Sequence, residues 1–371
     1  MKMKSLGSSI AVFLMSVTLI SSAWAGESPG VTPEKIREVV TKAMQENHIP
    51  GISIAVSTPD GKVIEESFGL ANVEHNLPVK KDSVFEIGSI SKTFTAIGIL
   101  ILQEEGKLSV DDKITKYFPQ YQAWSDITLK QLLQHSSGVR DVTEVEPFKS
   151  TQGKDWTPQE VVAAIAREPL DFEPGQKARY SNTGCIILGL VIEKVTGISF
   201  ADFLIDRIVK PLGMTHTTLG TNSVIVPGRV SGYAYAGKLT NAEYASLALP
   251  YASGGILSTP SDLIRLARVF RGEALISKKS VQEMFEAVVL NNGTMYQSPE
   301  PGLRLTFGYS LDSVVLNGKI IPAKTGGIAG FNSFFAYYPE SRTMVALTSN
   351  LNNSLRELVL IVDALFGLIQ K

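Results

Sequence analysis

Cysteine is nearly absent from this 371-residue chain: Cys185 is the single one, so no internal disulfide can form. It stands in the apolar run Cys185-Ile186-Ile187-Leu188, which suits a small buried hydrophobe better than a redox or nucleophilic thiol. Net charge is nearly absent as well, with 35 Lys+Arg against 36 Asp+Glu. There is no basic cluster with interleaved aromatics, so nucleic acid and anionic membrane are not expected partners. The four histidines, His48, His75, His135 and His216, are scattered without metal-ligand spacing. No metal and no cofactor is expected. The Gly-x-Ser-x-Gly elbow, the Gly-x-x-x-x-Gly-Lys-Ser/Thr phosphate loop and the His-Glu-x-x-His pair are all missing. So are internal repeats, low-complexity tracts and any linker that would separate domains.

What is present describes a globular protein with a sizeable core: 44% hydrophobic and 19% charged residues. The start of the chain reads differently. Lys2 and Lys4 precede a short apolar run, Ile10 to Ile20, and Ala23-Trp24-Ala25 gives a small-x-small cleavage pattern. Residues 1–25 are read as a secretory signal and 26–371 as one domain, periplasmic or secreted. The apolar run is too short to span a bilayer comfortably, so no stable membrane anchor is expected once it is removed.

Hydrophobic periodicity places the elements. Thr32-Pro33 is a helix start, followed by Ile36, Val39, Val40, Ala43 and Met44 at helical spacing. Gly51 to Ser57 and Lys62 to Phe68 read as strands around the turn Thr58-Pro59-Asp60-Gly61. Near the other end, Phe307 to Leu316 and Lys319 onward flank Asn317-Gly318, a hairpin signal. Asn332 to Tyr338 and Thr343 to Ser349 form another pair, and a last helix runs from Leu355 to Ile369. Between them, 94–105, 157–167, 184–196, 200–209 and 260–271 look helical. The expectation is an α+β fold: an antiparallel sheet built from both chain ends (about 30–85 and 300–371), flanked by the terminal helices, with a mostly helical region (about 86–299) inserted.

Three short motifs carry chemistry. Ser89-Ile90-Ser91-Lys92 puts a hydroxyl and an amine three residues apart, on one face of a helix. Such a spacing is expected roughly once by chance in a chain this long, and the context gives it weight. The helix behind it is apolar nearly all round (Phe94, Ala96, Ile97, Ile99, Leu100, Ile101, Leu102), so it is buried, and its N–H groups can stabilise an oxyanion. The bland alternative is a helix cap beside a solvated lysine. Tyr180-x-Asn182 occurs once, in a loop after Pro174-Gly175. Two nearby ammonium groups would favour the Tyr180 phenolate as a general base, and Asn182 offers an amide to Lys92 or to a substrate carbonyl. An ordinary turn with a packed tyrosine is the alternative. Lys324-Thr325-Gly326-Gly327 ends a strand in glycines that allow another backbone to approach. A substrate could pair along it, with Gly327 N–H toward a carbonyl oxygen and with Lys324 and Thr325 attracting a carboxylate. Otherwise it is a glycine-rich turn with an exposed lysine.

In this order the three motifs resemble the active-site-serine, penicillin-recognising superfamily, in its class C β-lactamase and DD-peptidase branch with related esterases. The middle motif there is Tyr-x-Asn where class A enzymes have Ser-Asp-Asn. The strings Phe85 to Phe94, Leu132-Leu133-Gln134-His135-Ser136-Ser137-Gly138, Pro211-Leu212-Gly213-Met214 and Ser253 to Thr259 are similar too. The resemblance implies the β-lactamase/transpeptidase-like fold. It also implies Ser89 as acylated nucleophile, Lys92 as its partner, Tyr180 as base, and Asn182, Lys324, Thr325 and Gly326 as substrate contacts. The backbone N–H groups of Ser89 and Gly327 would form the oxyanion hole. Arg167-Glu168-Pro169-Leu170-Asp171 resembles the class A loop with the deacylating glutamate, but it precedes Tyr180 here, so Glu168 is read as an ordinary loop carboxylate. The implied substrate is a small molecule or peptide: a β-lactam, a D-Ala-D-Ala peptide or a small ester. A penicillin-binding sensor that acylates without turnover is a further alternative.

Overall fold

The computed structural model describes residues 31–369 apart from 59–61, 222 and 300–303. The expected signal at 1–25 and most of the turn at 58–61 lie outside the described residues.

Helix α1 (Pro33–Asn47) starts as its sequence dictates: Thr32 Oγ1 accepts the Lys35 N–H, and proline occupies the first turn. Strands β1 (Gly51–Ser57), β2 (Val63–Asn72) and β3 (Leu77–Pro78) follow. The far end supplies β4 (Arg304–Phe307), β5 (Asp312–Leu316), β6 (Lys319–Ile328), β7 (Phe331–Tyr338) and β8 (Thr343–Ser349). They form an eight-stranded sheet in the order β3-β2-β1-β8-β7-β6-β5-β4, each neighbouring pair antiparallel. The two chain ends are thus joined directly, Ile52 opposite Ser349 and Ser57 opposite Met344.

The central strands are buried on both faces, which explains their nearly continuous apolar sequence. Ile52, Ile54, Phe334, Val345 and Leu347 pack with Ile36 and Val40 of α1 and with Leu358, Ile361 and Leu365 of the C-terminal helix (Leu355–Ile369). Ala55, Phe335, Tyr337, Met344 and Ala346 face the opposite way, into the core of the helical region. At the centre of that region lies α2 (Ser91–Glu104), in which every residue from Ser91 to Leu102 is buried. Each of its large apolar side chains contributes about 1.5–3 kcal/mol by leaving water. Beside it runs α3 (Asn182–Thr196), also buried over most of its length. Cys185 lies in α3, fully buried, with its sulfur 3.4 Å from Ser310 Oγ, and burial pushes its thiol pKa up.

Three expectations are corrected, and one helix is added. The strand read over 307–316 is broken at Gly308–Leu311, where Gly308 N–H bonds Leu311 O and Ser310 takes a positive φ of 54°, leaving β4 and β5. The helix read over 260–271 is two short helices, Pro260–Leu263 and Leu266–Phe270. The helix at 200–209 widens into a π turn at Ile205–Val209 and continues to Leu212. The added helix is Lys278–Phe285, capped by Ser277.

Candidate active site

Ser89 stands in a single 3-10 turn, Gly88–Ile90, at the entrance to α2. Gly88 is required there. Its φ is +49°, and a Cβ would lie 2.8 Å from both Gly327 N and Gly327 O. Gly326 is as constrained, since a Cβ would fall 2.1 Å from Ile87 O and 2.2 Å from Ser333 Oγ. Ser333 Oγ also donates to Ile87 O at 2.8 Å, pinning the turn to β7. The two glycines therefore let the end of β6 press against the backbone that carries Ser89.

The structure brings Ser89, Lys92, Tyr180 and Asn182 together. Tyr180 Oη donates to Ser89 Oγ at 2.5 Å, and Lys92 Nζ lies 3.1 Å from the same oxygen. Lys92 is fully buried and further held by Asn182 Oδ1 at 2.8 Å and Ser253 O at 2.7 Å. Its Nζ stands 4.8 Å from the centre of the Tyr180 ring. Ser89 is partly exposed and lines an open cleft together with Asn182, Ser253, Gly327, Thr143 and Leu249.

One electrostatic expectation is corrected. Tyr180 is not driven toward phenolate: desolvation outweighs the Lys324 charge and the Ser89 hydrogen bond, and its pKa is pushed up to about 12, with Asp312 adding to the rise. Lys324 is not the exposed lysine of the bland alternative. It is fully buried, and its Nζ lies 3.2 Å from the equally buried Asp312 Oδ1. Thr325 is half-buried on β6, Gly326 is buried, and Gly327 is exposed at the cleft. β5 pairs with β6 only as far as Ala323, whereas β7 pairs through Ile328, so the far edge of 324–328 is left to the cleft side.

Three contributors carried no signal in the sequence. Asp141 accepts from both the backbone and the side chain of Asn182, the Ser253 carbonyl holds Lys92, and Asp312 neutralises Lys324. Ser253 alone fell within a string already singled out, by resemblance and not by its carbonyl. His135 packs its ring 4.8 Å from Tyr180 and 4.9 Å from Phe307, and its Nδ1 accepts the Ser181 N–H at 3.3 Å, a role in holding the Tyr180 loop. Glu168 is engaged by Arg140 at 3.2 Å. Among the described residues, no group of three or more His, Cys, Asp or Glu is placed to hold a metal ion.

Residues 36–365 match the family model described as Beta-lactamase. Penicillin-binding protein 4* of Bacillus subtilis is 32% identical over 301 residues, 76% of this chain and 64% of that protein. Protein flp of Staphylococcus aureus is 26% identical over 86% of this chain and 63% of its own length. The chain thus spans just under two thirds of the curated relatives it matches. Among solved structures, D-amino acid amidase from Ochrobactrum anthropi SV3 superposes with a TM-score of 0.81 at 25% identity, over 91% of this chain and 98% of that one. An octameric penicillin-binding protein homologue from Pyrococcus abyssi gives 0.77 at 27% identity, over 91% and 78%. With its β-lactamase/transpeptidase-like fold, and with penicillin-binding proteins and a D-amino acid amidase as relatives, the chain belongs to the beta-lactamase family of serine hydrolases.

Proposed function

We propose that the protein is a periplasmic or secreted hydrolase that cleaves an amide of the β-lactam or D-alanyl-D-alanine type through an acyl-enzyme on Ser89. One observation carries this reading: Ser89 Oγ, open to a cleft, sits between a phenol at 2.5 Å and a buried amine at 3.1 Å. Two of the acceptors around Lys92 Nζ, Asn182 Oδ1 and Ser253 O, are carbonyl oxygens and can only accept. A neutral Lys92 gives its two N–H groups to them and turns its lone pair to the Ser89 O–H. Lys92 then takes the serine proton as Oγ attacks the carbonyl carbon. Tyr180, held neutral, gives its proton to the departing nitrogen or oxygen and is reprotonated from Lys92. Water attacks the acyl carbon by the reverse route, and Oγ regains its proton. The Ser89 and Gly327 N–H groups face the developing oxyanion, and the open edge of 324–328 receives the substrate backbone.

A second reading, hydrolysis of neutral amides or small esters, draws support from the charge balance. Ser89, Asn182, Thr143, Gln152 and Ser246 supply the polar lining of the cleft, and the Lys324 charge is already met by Asp312. The kinship with a D-amino acid amidase agrees with it. The test is to incubate the protein with a labelled penicillin, a chromogenic cephalosporin, a D-Ala-D-Ala peptide, its C-terminal amide and a short-chain ester, following adducts by intact mass. Turnover of cephalosporin or free peptide supports the first reading. Turnover confined to amide and ester supports the second. A penicillin adduct that never turns over removes the β-lactamase part alone, and such an adduct with no turnover of peptide, amide or ester overturns both in favour of a sensor.

A further inference from the structure

We propose that Asp141 is a positioning residue: its carboxylate fixes the Asn182 amide with Oδ1 toward Lys92 and so holds the lysine amine against Ser89. This rests on the reading above, in which Lys92 accepts the Ser89 proton.

Asp141 is 4% exposed and sits immediately before the short turn Val142–Glu144, far in sequence from α3. One carboxylate oxygen accepts the backbone N–H of Asn182, at the N-terminus of α3. The other accepts Asn182 Nδ2 at 3.2 Å, Thr143 N at 2.9 Å and Thr143 Oγ1 at 2.5 Å. Capping the helix would need only the first contact. The second has a different consequence. An ionised carboxylate has no donor, so the end of the amide that faces it is the NH₂. The other end, Oδ1, is thereby turned to Lys92 Nζ at 2.8 Å. If the amide flipped, its NH₂ would point at the lysine N–H groups, and one of the two carbonyls that aim the Lys92 lone pair at Ser89 would be lost. The loop that bears Asp141 is itself tied to the same helix end, with Val142 N–H donating to Thr183 Oγ1 at 2.9 Å and Thr183 Oγ1 donating to Arg140 O at 2.8 Å. The carboxylate is thus held rigidly enough to choose the amide's orientation.

The test is a cycle of Asp141→Asn and Asn182→Ala, read as single-turnover acylation by p-nitrophenyl acetate with intact-mass detection. On the scale of one unsatisfied buried donor, Asp141→Asn slows acylation roughly tenfold to a hundredfold in the native background. It has little further effect when Asn182 is already replaced by alanine. Asp141→Glu, still an acceptor-only carboxylate, retains more activity. An equal loss in both backgrounds means a structural cap and overturns the proposal. If Asp141→Asn does not fold, the same cycle is run with Asp141→Glu, whose displaced carboxylate must again lose its effect in the Asn182→Ala background; an equal effect in both backgrounds overturns it. Ser89→Ala separates the two levels. If that variant still acylates, the underlying reading fails. If it is silent and the cycle is additive, Asp141 alone is wrongly assigned.

Discussion

Removing the Asp312 carboxylate leaves the Lys324 ammonium buried without its counter-charge, and the size of the effect can be worked out in advance. Both groups are essentially inaccessible and their charged atoms lie 3.2 Å apart. Breaking such a pair from one side costs about 3–5 kcal/mol, because the remaining ion keeps its desolvation penalty. With about 2.1 cal/mol/K of unfolding entropy per residue over 371 residues, each kcal/mol is about 1.3 °C. Asp312→Leu is therefore expected to lower Tm by about 4–6 °C in calorimetry. Asp312→Leu/Lys324→Met, with both charges gone, recovers most of that loss. Tyr180 supplies a second readout. Asp312 raises its pKa while Lys324 lowers it, so in Asp312→Leu the phenolate absorbance must appear at lower pH than in the native protein. An Asp312→Leu variant as stable as wild type, or a double variant less stable than the single one, would refute the claim that Lys324 is a desolvated, paired cation.

Other predictions follow from the same geometry. Tyr180→Phe removes the donor 2.5 Å from Ser89 Oγ and should lower kcat/KM on the order of a hundredfold or more in steady-state assays. Burial holds Tyr180 protonated up to about pH 12 against an ordinary 10.0. The folded state therefore keeps a proton that the unfolded chain releases, and this contribution to stability is complete below pH 10 and lost as pH rises through 12. Tm measured over that range should fall more steeply for the native protein than for Tyr180→Phe. Gly326→Ala places a Cβ 2.1 Å from Ile87 O, and should cost about 1–3 kcal/mol while slowing acylation, because Ile87 leads into the Ser89 turn. If Asp312 screens Lys324 from substrate, a D-Ala-D-Ala peptide and its C-terminal amide should differ by less than about tenfold in kcat/KM. A larger preference for the free carboxylate would show an acting cation in the cleft.

What the sequence shows best is whatever depends on neighbours in the chain. The period of α2 exposes the Ser89–Lys92 pair, Thr32-Pro33 marks the start of α1, and Asn317-Gly318 marks the β5–β6 turn, with both residues at positive φ. The strand boundary at Gly308 is hidden because Tyr309, Ser310 and Leu311 read like strand residues, and only contacts such as Ser310 N–H to Leu133 O make the break. The site follows the same division. Asp141 meets Asn182 across 41 residues, and Ser253 meets Lys92 across 161. No local pattern encodes such meetings. The Tyr180 ionisation shows the difference most clearly. Counting nearby ammonium groups points to a phenolate, whereas burial, which only the fold supplies, outweighs them.

The central claim is a covalent acyl-enzyme on Ser89, and intact mass spectrometry with peptide mapping measures it directly. After brief exposure to a penicillin or an activated ester, the native protein should gain the mass of one acyl group, on the peptide that contains Ser89, and Ser89→Ala should gain none. An adduct of the same mass on Ser89→Ala, or one that maps to another peptide, would contradict it.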